Sequence, residues 1–251
     1  MYMEAHMIRF LLVCITVIGF LILSIPILIV EWIIGKFNPY KKDISSLHLI
    51  QSVFRFILWL TGVEVTVIGE ELVPTDEAVL YIGNHRSFFD ILLTYTRCPR
   101  LTGYIAKAEM EKIPLLSNWM HYLHCLFLDR KDIKKGLKTI LSGIELIKSG
   151  ISVCIFPEGT RNKGEELSLL PFHNGSFKIA EKTGCPIIPM SLNNTCDIFE
   201  GHFPFIKKTH VILEYGKPIS PKELDKDEKK RIGEYCSNII SETIHKNQAL
   251  V

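Results

Sequence analysis

Residues 78–96 read AVLYIGNHRSFFDILLTYT, and this stretch decides the fold. Ala78–Ile82 is an unbroken apolar run rich in β-formers, the mark of a strand covered on both faces. Gly83 and Asn84 stop it, and from Ser87 to Thr96 the apolar residues return at helical spacing. Working outward, the same alternation recurs. Val63–Ile68, Thr102–Ala106, Cys125–Leu128, Ser152–Phe156, Ile187–Leu192 and His210–Tyr215 read as further strands. Lys112–Leu123, Asp132–Lys148 and Gly175–Lys182 read as helices, and Pro221 opens a C-terminal helix that reaches toward His245. Such alternation predicts an α/β fold with a mixed, largely parallel sheet flanked by helices. In such sheets the chemistry collects beyond the carboxyl ends of the strands.

The segment upstream of Gly62 follows different rules. The chain of 251 residues is 47% hydrophobic and 22% charged, with a mean hydropathy of +0.21. Much of that apolarity lies in Phe10–Val30, 21 residues without a charge. As a helix this run reaches about 31 Å, roughly a bilayer's hydrocarbon thickness. A cleaved signal peptide is disfavoured: the run is too long, Glu4 spoils the basic start, and no small-residue cleavage site follows. The expectation is a membrane anchor in which Pro26 either kinks a spanning helix or turns a re-entrant one. Residues 44–60 are amphipathic, with Leu47, Ile50, Phe54 and Ile57 on one face and His48, Gln51 and Arg55 on a polar stripe. They predict a helix at the membrane surface, packed on the first helix, or in the core. Lys36, Lys41 and Lys42 follow the apolar run and favour a cytoplasmic face, at a plasma or bacterial inner membrane, for what lies downstream. Residues 1–61 are thus expected to anchor a domain spanning 62–251. That domain has no basic excess, so nucleic acid is not an expected partner. The seven cysteines are scattered and odd in number, as reduced thiols would be.

Candidate chemistry sits at the strand ends. His85 follows the 78–82 strand, and Asp90 lies five residues on, in the first turn of the next helix. A carboxylate so placed can grip the imidazole, fix its tautomer and stabilise the imidazolium. On this segment alone, a helix-capping Asp beside a buried His fits as well. No nucleophile motif of the G-x-S-x-G type accompanies the pair, which suggests that the substrate supplies the nucleophile and His85 accepts its proton. The 152–156 strand runs into Pro157, Glu158, Gly159, Thr160 and Arg161, and the 125–128 strand into Asp129 and Arg130. Two Arg at neighbouring strand ends suit a phosphorylated, hydroxyl-bearing substrate. Lys107, at the end of the 102–106 strand, is a further candidate cation or else a solvated surface charge. No H-E-x-x-H or Cys/His cluster suggests a metal.

These motifs, Asn84-His85-x4-Asp90, Phe127-Leu-Asp-Arg130, Phe156-Pro-Glu-Gly-Thr-Arg161 and Cys185-Pro-Ile-Ile-Pro-Met190, stand in the order and spacing of the four blocks of the glycerolipid acyltransferases. Residues 62–220 resemble in particular the bacterial 1-acylglycerol-3-phosphate (lysophosphatidate) acyltransferases. The stretches Lys107-Ala-Glu-Met-x3-Pro114 and Leu170-Pro-Phe-x2-Gly175 support the likeness. The resemblance implies a glycerol-3-phosphate acyltransferase-like fold and transfer of a fatty acyl group to the sn-2 hydroxyl of lysophosphatidic acid, giving phosphatidic acid. It implies that His85 is the general base and Asp90 its support, and that Arg130 and Arg161 bind the acceptor phosphate. Glu158, Gly159 and Thr160 would shape the acceptor site beside Lys107, and Ile187, Ile188 and Pro189 would belong to the acyl-donor or acyl-chain region. No cofactor is implied; acyl-CoA or an acyl-carrier protein would be the donor, and membrane lipids the surroundings. The chain departs from the pattern at His124, where the family commonly has Gly, and at His173, where it commonly has another basic residue. Another lysolipid acceptor, such as a lyso-ornithine lipid, an inactive lipid-binding protein and a lipid hydrolase are the competing readings.

Overall fold

The computed structural model describes residues 2–251, with side chains placed from His6 onward. Three helices come first: α1 (Tyr2–Leu23), α2 (Ile25–Phe37) and α3 (Pro39–Thr61). An alternating region follows: β1 (Glu64–Ile68), β2 (Leu80–Gly83), α4 (Phe89–Tyr95), β3 (Thr102–Lys107), α5 (Leu116–Tyr122), β4 (Leu126–Leu128), α6 (Ile133–Lys148) and β5 (Ser152–Ile155). The chain closes with α7 (Lys178–Thr183), β6 (Ile187–Asn193), β7 (His210–Tyr215), α8 (Lys226–Lys230) and α9 (Ile232–Asn247). The strands form one sheet in the order β1-β7-β6-β2-β5-β3-β4. Every neighbouring pair is parallel except β6 and β7, so the sheet is mixed and largely parallel, as expected.

Each central strand divides its side chains between two cores. On β2, Tyr81 joins the layer containing α3, α4 and α5, while Leu80 and Ile82 face the layer of α6, α7 and α9. On β5 the alternation repeats, with Cys154 on the first side and Val153 and Ile155 on the second. All four residues of β2 and of β5 are buried, which explains why both read as continuous apolar runs. The strand order corrects one expectation: β3 lies between β4 and β5, so Arg130 and Arg161 do not leave adjacent strands.

The apolar N-terminal run is not one helix. It breaks at Ser24, and Pro26 occupies the first turn of α2, where its missing N–H costs nothing. The Ser24 hydroxyl accepts the indole N–H of Trp119 at 2.9 Å and donates to the carbonyl of Leu21 at 3.2 Å, which pins the break to the domain. Among the described residues, two helices have the length and apolarity to cross a membrane: α1, over His6–Leu23, and α3, a third of which is buried. Ile15, Ile18, Leu23, Val30 and Trp32 are all more than half exposed, an apolar surface of the kind that associates with a bilayer. The three helices are nonetheless fastened to the sheet layers. Phe10 stacks on Phe199 with centroids 5.6 Å apart, and the Tyr122 hydroxyl donates to the carbonyl of Leu28 at 3.1 Å. Gln51, expected on a polar stripe, is buried; its amide donates to the carbonyls of Tyr95, the last residue of α4, and of Cys98 in the loop after it.

Candidate active site

The site lies beyond the carboxyl end of β2. Asn84, just past the strand, exchanges two hydrogen bonds with the backbone of Leu192 on β6, donating to its carbonyl at 2.9 Å and accepting its N–H at 2.8 Å. This clamp fixes where the chain leaves the sheet, and His85 is the next residue. The carboxylate of Asp90 is fully buried, and its Oδ2 accepts from His85 Nδ1 at 2.8 Å and from the backbone N–H groups of Arg86 and Ser87 at 2.7 and 2.8 Å. Asp90 therefore organises the turn into α4 and grips the imidazole, but it does not cap the helix, whose N-cap is Phe88 without a side-chain cap bond, and His85 is only partly buried. The imidazole stacks on Phe156 with centroids 4.4 Å apart. With Nδ1 engaged, Nε2 is the ring nitrogen left to take a substrate's proton.

The turn after β5 closes over the same place. Glu158 Oε1 accepts the backbone N–H of His85 at 2.8 Å, and Oε2 accepts that of Leu170 at 3.0 Å. Burial pushes the carboxyl of Glu158 above the usual range, against those two N–H groups that favour its charged form. Gly159 follows with φ +73, which glycine adopts without strain. A Cβ there would lie 3.1 Å from the ring of His173 and 3.6 Å from the guanidinium carbon of Arg130. The turn thus brings together Gly159, His173 and Arg130, although β4 is two places from β5. Thr160 is exposed at the turn's tip.

Arg161 has partners of its own. Its NH1 pairs with Glu200 Oε1 at 2.8 Å, and its guanidinium lies 3.7 Å from the centroid of the Phe88 ring. Glu200 also accepts from the hydroxyl of Ser87 at 2.6 Å and the backbone N–H of Phe88 at 2.8 Å. Sequence reasoning missed Glu200, since nothing in its spacing ties it to partners 39 to 113 residues away. It missed Arg86 as well, a buried arginine whose guanidinium holds the carbonyls of Gly164 and Glu165 and the carboxylate of Glu166. Asn162 completes the frame by donating its backbone N–H to the carbonyl of His85 at 2.7 Å.

The other predicted residues are distributed unevenly. Lys107 ends β3, between the strands that lead to Arg130 and to the Glu158 turn, and its ammonium pairs with exposed Glu109 at 3.3 Å. Ile187, Ile188 and Pro189 are buried inside β6. Ile187 faces the α6, α7 and α9 core and Ile188 the opposite one, so the two line no common surface. A cavity of about 800 Å³ lies between α3 and the loop after α4, lined by Gln51, Arg55 and Arg97 among others. It sits at the end of α4 opposite Asp90. Burial pushes the thiols of Cys98 and Cys125 up to about 11, far from a nucleophile's range. Among the described residues, no group of three His, Cys, Asp or Glu side chains could hold a metal ion.

The chain is 28% identical over 200 residues to the 1-acyl-sn-glycerol-3-phosphate acyltransferase of Saccharomyces cerevisiae, covering 79% of this chain and 65% of that protein. It is 30% identical over 189 residues to the protein of the same name from Borreliella burgdorferi, covering 74% of each. A third relative, the chloroplastic LPAT1 of Arabidopsis thaliana, is 30% identical over 210 residues, 81% of this chain and 58% of its own. The chain thus spans less than two thirds of the length of the yeast and plant relatives. The fold matches the crystal structure of the 1-acyl-sn-glycerophosphate (LPA) acyltransferase PlsC from Thermotoga maritima, with a TM-score of 0.83 and 24% identity over 99% of this chain and 98% of that one. A family model described as Acyltransferase matches residues 64–193. That span is just over half of the chain and runs from β1 to the end of β6, through every strand end that bears His85, Arg130 or Arg161; the chain belongs to the acyltransferase family.

Proposed function

We propose that the protein moves a fatty acyl group from an acyl thioester to the sn-2 hydroxyl of 1-acylglycerol-3-phosphate, giving phosphatidic acid. The observation that carries this reading is the His85–Asp90 pair, in which Nδ1 is bonded and Nε2 has no serine or cysteine bonded to it. The acceptor hydroxyl would be the nucleophile. Its oxygen forms the ester bond to the thioester carbonyl carbon, its proton passes to His85 Nε2, and the carbon–sulfur bond breaks to release the thiol. The thiolate takes the proton back from the imidazolium, so no group is consumed. A base so placed contributes about 10²–10⁴-fold, and positioning and charge stabilisation supply the rest. Arg130, Arg161 and Lys107 are the cations proposed to receive the acceptor phosphate, with Glu158, Gly159 and Thr160 shaping the turn beneath it. The names of the relatives support the choice of acceptor.

Residues 1–61 are read as the membrane-anchoring part and 62–251 as the catalytic part. Donor chain, acceptor and product are amphiphiles that partition into a bilayer, so an anchored enzyme meets them where they reside. The basic residues after α1 favour a cytoplasmic face for the catalytic part, as at a plasma or inner membrane. The donor is read as acyl-CoA or an acyl-carrier protein, acting as substrate and not as cofactor.

The test uses the full chain in detergent with an acyl thioester, with and without 1-acylglycerol-3-phosphate. Thiol release that depends on this acceptor, with phosphatidic acid as product, is expected. Thioester consumption without acceptor would make the protein a hydrolase, and consumption only with a different lysolipid would overturn the acceptor assignment.

A further inference from the structure

Helix α6 carries an apolar stripe that nothing in the described structure covers. Ile133 is 89% exposed, Leu137 60% and Leu141 53%. At four-residue spacing the three lie along one line, about 12 Å from first to last. The helix is otherwise well anchored. Asp132 caps it by accepting the backbone N–H groups of Lys134 and Lys135, and beyond the stripe its last turns bury Ile144 and Ile147 in the sheet core. The Thr139 hydroxyl, donating to the carbonyl of Phe127 at 2.8 Å, ties it to β4. Exposure of the stripe is therefore a property of a fixed surface, not of a loose helix.

The unpaired charges around the first turns of the stripe are basic, while Asp129, Asp132 and, further along, Glu145 are held in ion pairs. Lys131, Lys134, Lys135 and Lys138 surround it, and only Lys135 is paired among the described residues, with Asp129 and Asp132. An apolar line beside three unpaired lysines fits the face of an acidic, amphipathic partner. Its place narrows the choice. The stripe begins five residues after Leu128, the last residue of β4, on the edge of the sheet where the strand ends bear the candidate active site. β4 is three strands from β2, about 14 Å at ordinary strand spacing. A partner seated there could reach His85 only with a group on an extended arm. The exposed apolar helices α1 and α2 belong to the layer on the other face of the sheet, which points away from a bilayer as the occupant.

We infer that this face of α6 is the docking surface for an acidic carrier protein that presents the acyl thioester on an extended prosthetic arm. The inference rests on the acyl-transfer reading above and names one of its two donors. The test compares palmitoyl thioesters of an acidic acyl-carrier protein and of CoA, with the full chain in detergent and 1-acylglycerol-3-phosphate as acceptor. For the double variant K134E/K138E and, separately, for I133S/L137S, the KM for the carrier thioester is expected to rise about tenfold or more. The KM for palmitoyl-CoA and both kcat values should stay within about twofold, which also reports that the variants fold. Equal effects on both donors, no effect on either, or a wild-type enzyme that accepts palmitoyl-CoA but not the carrier thioester would each overturn the docking surface while leaving the acyl-transfer reading in place. Binding to vesicles containing phosphatidylglycerol that is lost in the variants, with an unchanged carrier KM, would assign the stripe to the membrane and overturn the inference. A wild-type enzyme that consumes neither donor would overturn the acyl-transfer reading itself.

Discussion

Glu158 reaches back from the turn after β5 and accepts the backbone N–H of His85 at 2.8 Å, so the F-P-E-G-T-R block positions the H-x4-D block directly. Its second oxygen holds Leu170, and one buried carboxylate therefore spaces three segments. Replacing it with Ala strands two N–H groups and should cost about 1–3 kcal/mol of stability. Turnover should fall by about 10²-fold as His85 loses its register. Thermal melting in detergent and kcat check the two effects separately.

The same carboxyl gives a pH signature. Burial raises the pKa of Glu158 in the folded state above its unfolded value, so between the two values the folded state binds more protons. The stability this group contributes is complete below the ordinary carboxylate range and is lost as pH rises through the raised value. In Glu158→Gln that decline should disappear from the stability-versus-pH curve, while the decline owed to other groups remains. A curve of unchanged shape would contradict the burial argument.

Asp90→Asn is expected to lower kcat by about 10²–10⁴-fold, because the amide can present its N–H where Nδ1 needs an acceptor and so favours the wrong tautomer. His85→Ala should lower it at least as far. The two losses should not add in the double variant, since both residues serve one proton transfer. Additive losses would mean that Asp90 acts through the turn alone.

Arg161 and Arg86 look alike in sequence and differ in surroundings. Arg161→Ala removes a half-exposed guanidinium and should raise the acceptor's KM by about tenfold to a hundredfold, with a smaller change for the donor. Arg86→Ala should instead cost about 1–3 kcal/mol of stability, because it leaves the carbonyls of Gly164 and Glu165 without their donor and partly buried Glu166 without its cation. If the reverse pattern is measured, the phosphate assignment of Arg161 fails.

That contrast also shows how far the sequence could be read. The strands were legible, β2 and β5 as apolar runs ended by Gly83-Asn84 and Pro157, and others such as β1 and β7 as stretches rich in β-branched residues. His85 and Asp90 were legible because a local turn joins them. Glu200 was not, since its contacts to Ser87, Phe88 and Arg161 exist only once β6 is packed beside β2. Strand order was hidden for the same reason: nothing local to Leu126–Leu128 says that β4 pairs with β3 and not β5. The break at Ser24 was signalled only by Pro26, and its cause, the indole of Trp119, lies 95 residues on.

His124 marks the most informative departure from the family pattern. It sits in the left-handed region at φ 57, where a Gly would carry no side-chain cost, and the strain is about 1 kcal/mol. In exchange, its imidazole Nε2 lies 2.9 Å from Asp43 Oδ2, and so ties α3 to the turn before β4. Asp43 is buried on α3 and keeps Lys42 at 2.7 Å as its other partner. The two terms oppose each other, and a double-mutant cycle separates them. In an Asp43→Asn background, His124→Gly should stabilise by about 1 kcal/mol, the strain alone. In the wild-type background the same substitution should come out at least about 1 kcal/mol worse, because it leaves a buried carboxylate short of a partner. The gap between the two values measures how strongly α3 is latched to the catalytic sheet. A gap near zero, read from melting in detergent, would make the His124–Asp43 contact incidental.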